Sequence, residues 1–259
     1  MKIWQTLHAL VLILILSGCV SWSAVPGVDG YRLNICDKID PYSLRISGPT
    51  NKRMEACVSK HSGASIKRVI ISSQGGSVLS ALRIGDTMAT WKMELIIENE
   101  CVSSCANYFI PVASRVVLRS GSAIVLHGSI DEGFIEQNKS RMTPEALERT
   151  LETAELQRLY AERFDIPQAW LLLRRRYSRE EMKVDGLEGE FAPFHPSSRA
   201  LAFVVVEAPF LLSCFPEVEF EGLENMLTAR AKDDVELARA LAGKKYARSG
   251  SAKCSDYPS

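Results

Sequence analysis

Two short stretches of the chain carry the residue types needed for nucleophilic chemistry. Ser73-Gln74-Gly75-Gly76-Ser77 follows the β-branched run "IKRVIISS", and Cys101-Val102-Ser103-Ser104-Cys105 follows the apolar run "MELIIE". A third residue, His127, closes the apolar segment "AIVLH". A serine hydroxyl is a weak nucleophile until a base takes its proton, and imidazole is the side chain suited to that task near neutral pH. The oxyanion that then develops needs N–H donors. A glycine pair at a turn supplies them, because no side chain blocks the amides and positive φ is open to the backbone. Paired glycines also make ordinary tight turns, and a histidine at a strand end is commonly a hydrogen-bonded structural residue, so none of the three pieces decides the matter alone.

The surrounding pattern says how these pieces are presented. "SLRIS" reads as a short strand before a Gly-Pro turn, "KRMEACVSKH" as a helical segment, and "IKRVIISS" as a strand buried on both faces. Helical spacing runs from Leu79 to Trp91, with Leu82, Gly85 and Ala89 on one side. "MELIIE" is a further strand, Ala106 to Ala113 a short helix, and "RVVLRSGSAIVLHGS" two strands around Ser120-Gly121-Ser122. This alternation implies an α/β fold of parallel βαβ units with right-handed crossovers. Both serine-bearing turns then fall at the carboxyl ends of strands, where ligand sites of parallel sheets lie. The second half is mainly helical: Thr143-Pro144-Glu145 caps a helix running to Phe164, and Ile166-Pro167 starts another. "ALAFVVV" returns to strand composition, Glu221 to Ala242 predicts an amphipathic helix ending at Gly243, and the tail from Lys244 is polar and expected to be loose, unless a disulfide at Cys254 ties it down.

Together the three pieces resemble the Clp-type serine peptidase and crotonase superfamily, with its signal-peptide-peptidase and membrane-bound relatives. That superfamily shares an "SPGGSV" oxyanion turn, a nucleophilic serine in a small-residue "AAS" turn, and a histidine after the next strand pair. The matching residues are Ser73-Gln74-Gly75-Gly76-Ser77-Val78, then Cys101-Val102-Ser103, then Ile124-Val125-Leu126-His127. The resemblance covers about Leu44 to Leu187, and it is most similar to exported Clp-like proteins whose serine is framed as CxSxC. It implies a ClpP/crotonase-like spiral of parallel βαβ units with a helical second half. It also implies Ser103 as nucleophile, His127 as general base and the amides of Gly76 and Ser104 as the oxyanion hole, with Ser104 the rival nucleophile. Crotonase folds commonly trimerise through the helical half, so a homo-oligomer is a further implication. Two departures stand out. Gln74 replaces the proline, and aligning Gly186-Leu187 with the family's "GL" element puts Arg174 where the orienting acid belongs. Arginine has no acceptor to offer an imidazole N–H. Glu180, Glu181, Asp185 and Asp165 are the alternatives, and the sequence does not choose among them. A silent Clp-like protein used for binding or envelope assembly is the alternative to a hydrolase.

The remaining signals bound the setting. With 31 basic and 31 acidic residues in 259, and no broad basic surface, a nucleic-acid partner is not expected. Lys2 precedes an apolar run too short for a span of roughly 20 residues, so it reads as a secretory signal. Leu16-Ser17-Gly18-Cys19 resembles the lipobox of bacterial lipoproteins, which implies a lipid on Cys19, and Val20 in place of aspartate then favours the periplasmic face of the outer membrane if the cell is Gram-negative. An ordinary signal cut near Ala24 is the alternative. Export makes the cysteines count differently. Of seven, Cys19 is set aside, and six remain in an oxidising compartment, which favours disulfides over a metal. The preferred pairing joins neighbours along the chain: Cys36 with Cys57, Cys101 with Cys105, Cys214 with Cys254. Fifteen pairings are open to sequence alone. A zinc site is the competing reading, but His8, His61, His127 and His195 are scattered, and no metal or other cofactor is expected. The layout is a signal over 1–18, a linker over 19–30, a Clp/crotonase-like domain over 31–200, and a C-terminal extension over 201–259 with a helix and a disulfide-tethered tail. The substrate expected of a hydrolase here is a peptide or a small acyl compound.

Overall fold

The computed structural model describes residues 35–126, 128–176, 203–226, 246–249 and 251–256. Residues 1–34, with the expected signal, linker and Cys19, lie outside the described residues. Three apolar runs of the first half become the centre of a sheet: β2 (Ser43–Ser47), β3 (Arg68–Ser73) and β4 (Glu94–Val102). They are parallel, with Leu44 opposite Val69 and Val69 opposite Leu95, and Ile46 opposite Ile71 and Ile71 opposite Ile97. The side chains of Leu44, Ile46, Val69, Ile71, Leu95 and Ile97 are fully buried. Such continuous burial is possible because helices cross between the strands. These are α1 (Lys52–Ser59) between β2 and β3, and α2 (Val78–Trp91) between β3 and β4. The Asn51 side chain caps α1 by accepting from Arg53 N and Met54 N, and Ser77 caps α2 by accepting from Ser80 N.

Strand β4 is longer than "MELIIE" suggests, because it continues through Cys101 to Val102 and serves two partners on one side. Its first half, Glu94 to Ile97, pairs with β5 (Arg115–Leu118), and its last three residues pair with β6 (Ala123–Leu126). Between Ile97 and Cys101 the register against β3 slips, so β4 spends four steps where β3 spends two. A bulge of this kind bends the strand and re-aims its end, and here the re-aimed end is the one that delivers Ser103.

From Glu132 to Arg176 the chain is mainly helical, with α4 (Glu132–Asn138), α5 (Pro144–Arg163) and α6 (Gln168–Arg176). Helix α5 crosses α2 at Gly85, where an added Cβ would lie 2.1 Å from the Tyr160 hydroxyl; only glycine admits that approach. The segments after residue 200 join the same sheet. β7 (Phe203–Val205) runs antiparallel to β6, β9 (Tyr246–Arg248) parallel to β7, and β8 (Glu219–Glu221) parallel to β5. Trp170 of α6 stacks on Phe210 of α7 (Ala208–Cys214), with ring centroids 6.1 Å apart, and meets Phe215 edge-on at 4.8 Å.

The mixed α/β class, with parallel crossovers and a helical second half, is the one the alternation implies. Two readings need correction. The amphipathic helix expected from Glu221 does not begin there: Glu219 to Glu221 is strand, and Leu223 to Asn225 is a 3₁₀ turn, with 227–245 outside the described residues. The segment pairs instead with β5, with Arg115 opposite Glu219 and Val117 opposite Glu221, and Arg115 forms ion pairs with both glutamates. The tail from Lys244 is not simply loose, since Tyr246–Arg248 pairs with β7. An edge strand, β1 (Ile35–Asp40), also precedes β2 and runs antiparallel to it. Disulfides join Cys36 to Cys57, Cys101 to Cys105 and Cys214 to Cys254.

Candidate active site

Ser103 stands between the end of β4 and the start of α3 (Ser104–Phe109), with φ 59° and ψ −125°. An L-residue holds such a conformation only at a cost on the order of 1–3 kcal/mol, and only where its surroundings over-determine it. They do so here. Ser103 N–H donates to Val125 O of β6 at 2.7 Å, while Ser103 O accepts from Asn107 N–H at 2.8 Å. The Ser103 side chain makes no capping hydrogen bond to α3, and the residue is 8% exposed. Ser104 is different: its Oγ shares a buried 2.7 Å hydrogen bond with Thr50 Oγ1. Of the two serines, therefore, Ser104 has its hydroxyl committed to structure, and Ser103 is the one held in a strained turn without a capping role.

The glycine turn packs directly against this corner. Gly75 and Gly76 have φ of 78° and 148°. A Cβ on Gly75 would lie 2.5 Å from Val102 O, 2.7 Å from Ser103 Cβ and 2.9 Å from Ser104 N. Only a bare backbone fits there, so the two corners are in contact, not merely at the same end of the sheet. Gly75 N–H is already used, donating to Ser73 Oγ at 3.1 Å. Thr50 clamps both sides of Gly76: Thr50 N–H donates to Gly75 O at 2.9 Å and Ser77 N–H donates to Thr50 O at 2.8 Å. In a parallel bridge the middle residue turns its own N–H away from that partner, which leaves the Gly76 amide directed to the side opposite Thr50. Ser104 N–H, at the first position of a helix, has no intrahelical acceptor.

His127 lies outside the described residues, so its side chain is not placed here. Its neighbours are placed. Val125 is bonded to Ser103, and Gly128 O accepts from Asn107 Nδ2 at 3.1 Å. Two residues further, Gln157 of α5 grips Ile130 from both directions: Nε2 donates to Ile130 O at 3.0 Å, and Ile130 N–H donates to Oε1 at 3.2 Å. The same Oε1 accepts from Tyr108 OH at 2.7 Å, and Tyr160 OH donates to Tyr108 O at 2.7 Å. Burial raises the pKa of Tyr108 and of Tyr160, with Tyr108 adding to the effect on Tyr160, so both phenols stay neutral donors. This network locks α3, the stretch after residue 127 and α5 into one unit.

Thr50, Asn107 and Gln157 were not singled out from the sequence. Thr50 had one signal, its place after the Gly48-Pro49 turn at the carboxyl end of β2, next to the glycine corner. Asn107 and Gln157 had none, because a polar residue within a helical run reads as a solvated position until the packing shows it 2% or 5% exposed. Among the described residues Asn107 Oδ1 is buried with no donor. Of the candidate acids, Glu180, Glu181 and Asp185 lie outside the described residues, as does the Arg174 side chain. Asp165 sits at the turn between α5 and α6 with φ 48°. It lines a groove of about 840 Å³ that also touches Ser129, Ile130, Glu132, Leu151 and Leu172, and Ser103 is not among its walls.

No family profile matches the chain, and neither does any curated protein. Among solved structures it is similar to ClpP1 from Listeria monocytogenes, at 18% identity and a TM-score of 0.33, over 56% of this chain and 87% of that one. An Asn-to-Asp mutant of the same Listeria protein gives 20% identity and a TM-score of 0.35, over 57% of this chain and 88% of that one. A Ser-to-Ala mutant of the membrane-bound stomatin-specific protease 1510-N gives 14% identity and a TM-score of 0.30, over 44% and 68%.

Proposed function

We propose that the chain is a serine hydrolase, peptidase-like in its chemistry, with Ser103 as nucleophile and His127 as the base that takes its proton. The observation that carries this reading is the Ser103 corner itself: a non-glycine residue held at φ 59° against Gly75, whose side-chain space is filled by that corner. Strain of this kind concentrates at sites where a reactive group must be presented. Ser103 would attack an acyl carbon, its proton would pass to His127 and then to the leaving group, and the resulting acyl-enzyme would be released by water. The Gly76 and Ser104 amides are the proposed donors to the oxyanion. Each such donor is worth about 3 kcal/mol of barrier height. The substrate class is a peptide or a small acyl compound. Anchoring through a lipid on Cys19, on the periplasmic face of an outer membrane, and assembly into a homo-oligomer belong to the same proposal and rest on the sequence.

One observation favours a silent binding or envelope-assembly role instead: Arg174 occupies the position where the resembled family has its acid. Without an orienting acceptor, turnover drops by several powers of ten. Covalent labelling with a fluorophosphonate separates the two readings, because it reports nucleophile activation without needing a substrate. Labelling should occur in the wild type and vanish in both Ser103→Ala and His127→Ala. A wild-type protein that stays unlabelled leaves the silent role.

A further inference from the structure

Of the three disulfides, Cys101–Cys105 is the one that stability does not account for. Cys36–Cys57 closes a separation of 21 residues and fastens the edge strand β1 to α1, and Cys214–Cys254 closes 40 residues and fastens the chain's end to α7. Loop-closure gains grow with loop length, so a separation of 4 contributes least. Nor does Cys101 need fastening, since it is already paired with Ser73 on one side and Ile124 on the other. What the bridge does constrain is the backbone between its ends. Four extended steps at roughly 3.3 Å each would carry Cys105 about 13 Å from Cys101, whereas the bridge holds their Cα atoms at 5.2 Å. Strand β4 therefore cannot run straight on through Ser103. The bridge spans the residue at φ 59° and one residue of helix beyond it, and both its sulfurs belong to residues that are fully buried.

We infer that Cys101 and Cys105 are positioning residues, whose bridge holds Ser103 in its strained presentation and makes the reactivity of that serine depend on the oxidised state. This rests on the reading of Ser103 as the nucleophile. Reduction is balanced simply: a dithiol supplies two electrons, the S–S bond breaks, each sulfur takes up one proton, and the dithiol closes to its own disulfide. With the bridge open, the turn is free to relax toward extended backbone, carrying Ser103 away from its packing against Gly75. Cys36 and Cys254 are only partly buried, so a mild reductant reaches their bridges first and leaves this one for last.

The test uses the full chain in its oxidised form, comparing wild type with Cys101→Ala/Cys105→Ala and, as a control, Cys36→Ala/Cys57→Ala. Fluorophosphonate labelling should slow by about tenfold or more in the first variant and stay near the wild-type rate in the second, even though the second opens the longer loop and loses more thermal stability. Amide exchange gives a readout free of activity: the Ser103 and Asn107 N–H groups should exchange faster in the first variant alone. If that variant does not fold, wild type is titrated with dithiothreitol and the free thiols are mapped by alkylation. Labelling should then follow the oxidised fraction of Cys101–Cys105 and not that of the other pairs. A folded variant that labels and exchanges like wild type overturns the inference. Should oxidised wild type fail to label at all, the hydrolase reading falls, and exchange at Ser103 and Asn107 decides the positioning claim by itself.

Discussion

Gly75→Ala offers a sharp test of the contact between the two corners, because the fold contains its own control. Gly75 and Gly121 have nearly the same φ, 78° and 77°. An alanine at either position meets the left-handed penalty of about 1–2 kcal/mol. Around Gly121 a new Cβ has nothing within 4 Å, while at Gly75 it would lie 2.5 Å from Val102 O and 2.7 Å from Ser103 Cβ. Ordinary contact begins at 3.4 Å, so the Ser103 corner would have to retreat by close to 1 Å, and overpacking of this sort adds about 1–3 kcal/mol. Urea unfolding should therefore show Gly121→Ala losing about 1–2 kcal/mol and Gly75→Ala about 2–5 kcal/mol. A nucleophile displaced by about 1 Å should also label about a hundredfold more slowly, an effect that Gly121→Ala should lack. Equal losses in the two variants, with labelling intact at Gly75→Ala, would refute the claim that the corners touch.

Other consequences are simpler. Ser103→Gly should gain about 1 kcal/mol in stability while ending reactivity, since glycine holds φ 59° without strain; a loss on urea unfolding would count against a strained Ser103. Thr50→Val should cost about 1–3 kcal/mol by leaving Ser104 Oγ buried without Thr50 Oγ1, and Thr50→Ser should recover most of it. Gln157→Leu strands the Tyr108 hydroxyl and both backbone groups of Ile130, so roughly 3 kcal/mol or more should be lost, with faster hydrogen exchange at Ile130. Burial pulls the pKa of Glu55 upward, yet hydrogen bonds from Arg83 and Ser80 and the charge of Lys52 outweigh it and hold it below 4.5. The contribution of Glu55 is thus complete above that pH and lost as pH falls through the lower folded value, and Glu55→Gln should flatten the acid limb of the stability curve.

Much of this arrangement was legible because it rests on local rules. The β-branched runs around Val69 and Leu95 have few alternatives to buried parallel strands, and the cap at Thr143 marks a helix start by its own chemistry. The glycine pair announced a turn, and the even count of cysteines left after Cys19 pointed to disulfides, while their connectivity was a preference among fifteen pairings. What stayed illegible depends on contacts between distant segments. β1 shows no alternation, since Asp37, Lys38 and Asp40 sit on a solvated edge and its pairing comes from β2. Glu219 to Glu221 has the composition of a helix start, and its strand pairing comes from β5, far away in sequence. Thr50 and Gln157 read as ordinary polar residues until the fold brings them against the corner and against Ile130. The orienting partner of the proposed base is hidden for the same reason: nothing within "LLLRRRYSREEM" distinguishes a carboxylate that turns inward from one that faces water.

The most direct test of the central claim is to locate the adduct after fluorophosphonate treatment. Trypsin releases Met93 to Arg115, which holds Ser103, Ser104, Tyr108 and Ser114 in one fragment, and tandem mass spectrometry of that fragment separates the four hydroxyls. The account expects the phosphonate on Ser103 alone. An adduct on Ser104, or none anywhere in the fragment, contradicts it.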